Sequence, residues 1–147
     1  MSVPNFNNIL FLFIIVLFST CSNENTSYPL SIDQPYGNFP MKGQESIAAY
    51  MTLKNISDQV ITISGIKCDG VTMSSFHNMR LSEENQMLQM IKEDQIILDL
   101  NESIKLKEGG RHLMLMGLKR EFFDKEYISC YLALGEDDEF LINIPFK

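Results

Sequence analysis

Residues 109–118 read GGRHLMLMGL, and this stretch sets the class of fold. Two glycines suited to a tight turn precede a strict alternation of leucine with histidine or methionine. Successive residues of a strand point to opposite faces, so His112, Met114 and Met116 share one face and the intervening leucines share the other. A period of two over this length predicts a β-strand at Arg111–Met116.

Short apolar runs separated by polar turn clusters flank this stretch from about residue 43 onward. Eight further strands are predicted where β-branched and aromatic residues concentrate: Ser46–Lys54, Gln59–Lys67, Val71–Met79, Gln86–Ile91, Gln95–Leu100, Ser103–Leu106, Tyr127–Leu134 and Glu139–Pro145. One helical turn is expected within Leu118–Lys125, and no long segment has the 3.6-residue period of an amphipathic helix. Short strands at this spacing predict an all-β fold, an antiparallel sandwich or barrel.

Composition narrows the class of function. A chain of 147 residues with 45% hydrophobic content is long enough for one domain with its own core. The formal charge is −7 and no basic stripe is present, which argues against nucleic acid as a partner. The sequence has no Ser-His-Asp set, no phosphate-binding glycine loop and no HExxH motif, and its 2 histidines are too few for a catalytic zinc triad. We therefore expect a protein that is not an enzyme.

The N-terminus has the features of an export signal. Residues 9–18 form an unbroken apolar run that is too short to span a bilayer, so residues 1–20 are predicted to be a secretory signal peptide. Cys21 follows directly and resembles the acylated cysteine of bacterial lipoproteins, although Phe18 and Thr20 depart from the usual pattern, and plain cleavage or an uncleaved anchor stay open. Residues 21–40 are polar with little periodicity, which predicts a tether to a domain formed by residues 41–147.

Two cysteines remain after Cys21, namely Cys68 and Cys130. In an oxidising compartment they could form a disulfide. Both lie in predicted strands, however, and nothing in the sequence brings them together, so we favour two separate buried thiols. Neither has a CxxC partner, which argues against thiol redox catalysis.

Histidine and methionine concentrate in one part of the chain. Both histidines and six of the nine methionines lie between residues 73 and 116. Imidazole and thioether together form a soft ligand set that suits Cu(I) better than Mg²⁺ or Ca²⁺, and the imidazoles must be neutral to bind. Methionine also fills gaps in hydrophobic cores, so the residues alone leave a copper site and plain core packing equally open.

A family resemblance favours copper. Residues 48–55, AAYMTLKN, and residues 109–118 resemble the periplasmic copper chaperones of the PCuAC kind, over about residues 40–147. That family has a cupredoxin-like β-sandwich and the pattern His-x10-Met-x21-His-x-Met. Met90 and His112 are separated by 21 residues, and Met114 completes the pattern, whereas 12 residues rather than ten separate His77 from Met90.

The resemblance implies that His77, Met90, His112 and Met114 bind one Cu(I) per chain. Met87, with nine residues between it and His77, competes for the third position, but Met90 has the matching downstream interval. Three further methionines are candidate secondary or transfer ligands: Met79, Met87 and Met116.

The resemblance further implies a monomeric periplasmic metallochaperone, membrane-anchored if Cys21 is acylated, that delivers copper for the CuA centre of cytochrome c oxidase. Its partner would be the CuA subunit or a thioredoxin-like assembly factor. Two alternatives stay open, a metal-free β-sandwich binding module and a blue-copper electron-transfer protein. The latter needs a cysteine thiolate beside two histidines, and neither Cys68 nor Cys130 lies in a compact Cys-His-Met loop.

Overall fold

A computed structural model of the chain describes residues 28–135 and 138–147, which form ten strands and a 3₁₀ helix. The strands are β1 (Leu30–Gly37), β2 (Ser46–Asn55), β3 (Ile61–Cys68), β4 (Met73–Leu81), β5 (Leu88–Glu93), β6 (Ile96–Leu98), β7 (Ser103–Leu106), β8 (His112–Met116), β9 (Tyr127–Leu134) and β10 (Glu139–Pro145). All nine predicted strands are present, with ends displaced by about two residues at most, and the expected helical turn is the 3₁₀ helix at Arg120–Asp124. No helix within the described ranges is long and apolar enough to cross a membrane.

The strands form two sheets that pack face to face. One sheet has six strands in the order β1-β2-β8-β4-β5, with β7 also paired to β2, and the other has four in the order β10-β9-β3-β6. Every ladder between these strands is antiparallel. The prediction of an all-β antiparallel sandwich is therefore confirmed.

The hydrophobic core lies between the two sheets, where alternate residues of each strand point inward. In β8, Leu113 and Leu115 are fully buried, while the residues that alternate with them are only partly covered. The 3₁₀ helix contributes Phe122, which is also fully buried. Burial of one such side chain contributes about 1.5–3 kcal/mol, so the core fixes which face of β8 looks outward.

The first strand lies where a tether was predicted, and that prediction is wrong from residue 30 onward. Leu30–Gly37 pairs with β2, and both of its end residues are buried. A register shift between Asp33 and Tyr36, together with Pro35, interrupts the alternation that would have revealed it in the sequence. Proline is tolerated because β1 is an edge strand. The sandwich thus begins by residue 30 rather than 41, and the predicted signal peptide and Cys21 lie outside the described residues.

The two remaining cysteines are joined. Cys68 of β3 and Cys130 of β9 are directly opposite each other, with Cα atoms 4.0 Å apart, and form a disulfide. Our preference for two separate thiols is therefore wrong, although both residues are buried as expected. The partners are 62 residues apart in sequence, and only the pairing of β3 with β9 brings them together.

Candidate metal centre

The candidate ligands lie on the outer face of the six-stranded sheet, the side turned away from the core. His112 and Met114 point outward because Leu113 between them is buried. His77 of β4 is directly opposite His112 of β8, and Met90 of β5 is directly opposite Met79 of β4. Residues paired across neighbouring strands share a face, so the four predicted ligands and Met79 all lie on this outer face.

The two imidazoles form the centre of the group. The ring centroids of His77 and His112 are 5.8 Å apart, with one ring edge turned to the other ring. Nδ1 of His112 is 2.9 Å from the carbonyl oxygen of Gly110, which can only accept, so Nδ1 carries the proton and donates. In the neutral ring the lone pair is then on Nε2. This hydrogen bond fixes the tautomer and orientation that metal binding requires.

His77 has a polar atom without a partner. Its Nε2 is 3.0 Å from Oγ of Ser75, whereas Nδ1 is buried and meets no hydrogen-bonding group among the described residues. A buried polar atom without a partner costs free energy, and a metal ion at Nδ1 would supply the missing interaction. The pKa of His77 lies below its ordinary value of 6.5. Burial is the largest cause, and the neighbouring charges of His112 and Lys92 lower the pKa further. The ring therefore favours the neutral form that binds metal.

The thioethers surround this pair at different distances. Met114 lies two residues from His112 along β8, about 6.6 Å at the usual rise of a strand. Met90 is 50% exposed and lies two strands away from His112 and two residues further along, about 12 Å at the usual strand spacing and rise. Met87 is in the hairpin before β5, outside the ladder that contains Met90. The structure thus brings His77, His112 and Met114 together, and Met90 stands further off.

A shallow depression of about 350 Å³ opens on this face. Three side chains that could donate to a soft metal line it: Met79, His112 and Met114. Tyr50 of β2 is also part of the lining. Neither His77 nor Met90 is part of the lining. Sequence reasoning named Met79 only as a secondary ligand, and the cross-strand register is what places it here.

An ion pair on the opposite side of the sheet connects the strands that bear the ligands. Nη2 of Arg111, the residue before β8, donates to Oε1 of Glu93 at the end of β5, at 2.9 Å. Asn78 and Arg80 of β4 donate to the same carboxylate. Burial is the largest influence on Glu93 and would raise its pKa, but hydrogen bonding and charge, chiefly from Arg111, leave the pKa below its ordinary value of 4.5. The carboxylate therefore stays charged and ties β5, β4 and β8 together, a role that sequence reasoning missed because it depends on strand order.

The donor set suits a soft monovalent ion. Within residues 28–135 and 138–147 no three His, Cys, Asp or Glu side chains cluster in the manner of a metal site. The sulfurs of Cys68 and Cys130 are joined to each other, so neither is free to supply the thiolate of a blue-copper centre. Two imidazoles and neighbouring thioethers remain, and these are ligands that Cu(I) accepts.

Comparison with known proteins gives one family and a set of similar folds. Residues 30–145 match the family described as lipoprotein LpqE-like. No curated protein matches the sequence. The copper-bound PCuAC domain from PmoF2 is 19% identical, with a TM-score of 0.64 over 81% of this chain and 92% of that domain.

Two further solved structures have the same fold. The apo PCuAC domain from PmoF1 is 16% identical, with a TM-score of 0.63 over 81% of this chain and 93% of that one. Apo-DR1885 from Deinococcus radiodurans is 24% identical, with a TM-score of 0.61 over 83% of this chain and 80% of that one. These similarities show that the sandwich has the cupredoxin-like fold of PCuAC domains.

Proposed function

This chain belongs to the LpqE-like family, and we propose that it is an extracytoplasmic metallochaperone that binds one Cu(I) per chain. The observation that supports this most directly is the pairing of His77 with His112 on the outer face, 5.8 Å between ring centroids, with thioethers on the same face. We propose His77, Met90, His112 and Met114 as the ligands. The copper-bound PmoF2 domain, which has the same fold, adds support for the choice of metal.

The chemistry of these donors fits a carrier. Thioethers have no proton to lose and cannot form disulfides, so they stay available in an oxidising compartment where free thiolates would not. His77, His112 and Met114 project from β4 and β8, whose other faces are packed in the core, so the scaffold holds the imidazoles while the longer methionine side chains adjust. An acceptor protein can then replace the exposed ligands one at a time. Met90, on the edge strand β5, is the first that such an acceptor would meet.

The proposed location outside the cytoplasm has three supports. The disulfide between Cys68 and Cys130 is typical of oxidising compartments. The family is described as a lipoprotein family. Residues 1–21 have the apolar run and the following cysteine of a lipoprotein signal. We propose a periplasmic protein tethered to the membrane through lipid on Cys21, which mass spectrometry of the membrane-extracted protein would test.

We further propose that the protein acts as a monomer and that its acceptor belongs to the assembly route of the CuA centre. The acceptor would be the CuA subunit of cytochrome c oxidase or a thioredoxin-like assembly factor. The similarity to PCuAC domains is the support for this choice. Mixing the Cu(I)-loaded chain with an apo CuA domain and following the metal by absorption after separation tests it directly, and failure to transfer would leave copper binding intact but remove this partner.

Competition for Cu(I) against a chromogenic chelator, without oxygen, tests the function itself. We expect one Cu(I) per chain with a sub-nanomolar dissociation constant, and X-ray absorption should show both nitrogen and sulfur around the metal. A protein that leaves all of the copper with the chelator would instead be a metal-free binding module. An intense blue colour on adding Cu(II) would indicate the electron-transfer alternative.

A further inference from the structure

We propose that Tyr50 is an aromatic contact of the copper site, a ring that bound Cu(I) touches on the β2 side of the depression. The inference rests on the proposed copper function and adds a residue that supplies neither nitrogen nor sulfur to the ion. Its ring would strengthen the binding of a soft monovalent cation by a cation–π interaction. Sequence reasoning missed this residue because tyrosine is not part of the histidine and methionine pattern.

Strand register places Tyr50 beside the imidazoles. Ala49 of β2 is directly opposite Leu113 of β8. The next residue along β2, Tyr50, is therefore level with His112, with the two strands about 4.8 Å apart at the usual spacing. Ala49 and Met51, which flank Tyr50, are buried in the core, so Tyr50 points to the outer face. Tyr50 and His112 thus lie side by side on the face that bears the ligands.

Tyr50 is unusually well covered for a residue on an outer face, since it is only 7% exposed. Tyr36 of β1 is directly opposite it, and the two ring centroids are 5.1 Å apart. Nζ of Lys147 lies 3.7 Å from the centroid of the Tyr36 ring. These contacts pack the Tyr50 ring from the side of β1 and limit its movement toward that edge of the sheet.

The outer face has two pairs of rings, and the depression includes one residue of each pair. Tyr50 is paired with Tyr36, and His112 is paired with His77. Tyr50 and His112 both line the depression, whereas Tyr36 and His77 do not. Because β2 and β4 flank β8 on opposite sides, an ion held by His112 in the depression has Tyr50 as its neighbour on the β2 side. One strand spacing, about 4.8 Å, is within the roughly 6 Å over which a cation interacts with a ring.

A ring in this place has a physical use. Imidazole and thioether ligands bring no negative charge to the ion, so its positive charge stays unbalanced. The π-electrons of an aromatic ring attract a cation, most strongly where water is excluded. Tyr50 is nearly buried and lines the same depression as His112 and Met114, so its ring can meet the ion on a side that none of the four proposed ligands covers.

Two substitutions separate the ring from the rest of the side chain. Tyr50→Phe keeps the ring and Tyr50→Leu removes it, and each variant is titrated with Cu(I) against the chromogenic chelator without oxygen. The matched control is Tyr131→Leu, because Tyr131 is half-buried on the outer face of the four-stranded sheet, across the core from the site. Thermal unfolding of each apoprotein checks that the fold is unchanged.

Tyrosine emission provides a second readout that does not depend on affinity. The chain has 5 tyrosines and no tryptophan, so its emission comes from tyrosine alone. Cu(I) in contact with the Tyr50 ring should quench that ring in the wild type. At full loading, the decrease in emission should be at least about threefold smaller in Tyr50→Phe, which binds the ion but lacks this tyrosine.

Tyr50→Leu should lose roughly fivefold or more in Cu(I) affinity, the size expected for a cation–π contact with little water around it. Tyr50→Phe should stay within about twofold of the wild type, because the ring is retained. Tyr131→Leu should match the wild type in affinity and in the Cu(I)-induced loss of emission.

Equal Cu(I) affinity in Tyr50→Leu and the wild type would overturn the inference. A loss in Tyr50→Phe as large as in Tyr50→Leu would do the same, since the hydroxyl or the packing would then be responsible. Quenching as strong in Tyr50→Phe as in the wild type would also refute the contact, and this result stands even if Tyr50→Leu does not fold. All three results leave copper binding in place, whereas a wild type that binds no Cu(I) would remove the proposed function and this inference together.

Discussion

The two sheets of the sandwich each place a pair of reactive side chains opposite each other on neighbouring strands, with opposite results. In the four-stranded sheet, Cys68 and Cys130 point into the core, are 6% and 0% exposed, and are bonded to each other. In the six-stranded sheet, His77 and His112 point outward, remain separate, and lie beside an open depression. The same antiparallel geometry produces a covalent crosslink in one sheet and a candidate metal site in the other.

The difference follows from which face of the strand each residue occupies. A residue moved by one position along a strand changes from the inner to the outer face. Had the cysteines been on the outer face, their thiolates would compete for Cu(I) and would be open to oxidation. Because the two cysteines are bonded to each other in the core, they stabilise the scaffold. The outer face then has only imidazole and thioether donors, which do not form disulfides.

The largest expected effect concerns the disulfide. Replacing both cysteines, Cys68→Ala with Cys130→Ala, should lower the free energy of unfolding by about 2–4 kcal/mol, because the crosslink closes a long loop in the unfolded chain. Urea unfolding measures this loss. Cu(I) affinity should stay within twofold of the wild type below the unfolding transition. A large loss of Cu(I) affinity in the folded variant would show that the disulfide also supports the copper site, contrary to this prediction.

The second effect concerns the ligands of the outer face. His112→Ala or Met114→Ala should weaken Cu(I) binding at least tenfold, about 1.4 kcal/mol, since each removes a donor. Chelator competition measures the change, and Met41→Ala, a 68% exposed methionine outside this face, is the control. Equal affinity in the wild type and in both ligand variants would rule out the assignment of these residues.

The third effect concerns the ion pair behind the site. Glu93→Gln should lower the free energy of unfolding by about 1 kcal/mol at neutral pH, because the charged partner of Arg111 is lost. The pKa of Glu93 is below 4.5 in the folded protein, so its contribution is full above 4.5 and disappears as the pH falls through the folded value. Unfolding measured from pH 7 to 3 should show less acid sensitivity in Glu93→Gln than in the exposed control Glu121→Gln. Identical profiles would contradict a role for this carboxylate.

The smallest effect concerns His77 in the apoprotein. Its pKa is lowered on folding, so the unfolded chain binds the proton more readily and stability falls as the pH drops below 6.5. The loss should level off below the folded pKa. Urea unfolding between pH 7.5 and 5.5 should show this component in the wild type and its absence in His77→Gln. If the stability of the wild type instead rose as the pH fell from 7.5 to 5.5, His77 would not be buried in its neutral form.

Much of the fold could be predicted because it depends on local pattern. The alternation around His112 and the recurrence of apolar runs gave nine strands, and the same alternation put His112 and Met114 on one face. The tenth strand, β1, was missed because Pro35 and a register shift break its alternation, and it is held in place by β2. The disulfide and the ion pair of Arg111 with Glu93 were missed because each joins strands that are distant in sequence.

The sequence by itself determined nine of the ten described strands, which of their side chains share a face, and which soft donors are available. These depend on the period of two between neighbouring residues, a property of the local backbone. Only the tertiary structure decided which strands are neighbours, and with them the pairing of His77 with His112, of Cys68 with Cys130, and of Met79 with Met90. Strand order follows from how the whole chain buries its apolar faces, a property of the folded sandwich rather than of any one segment.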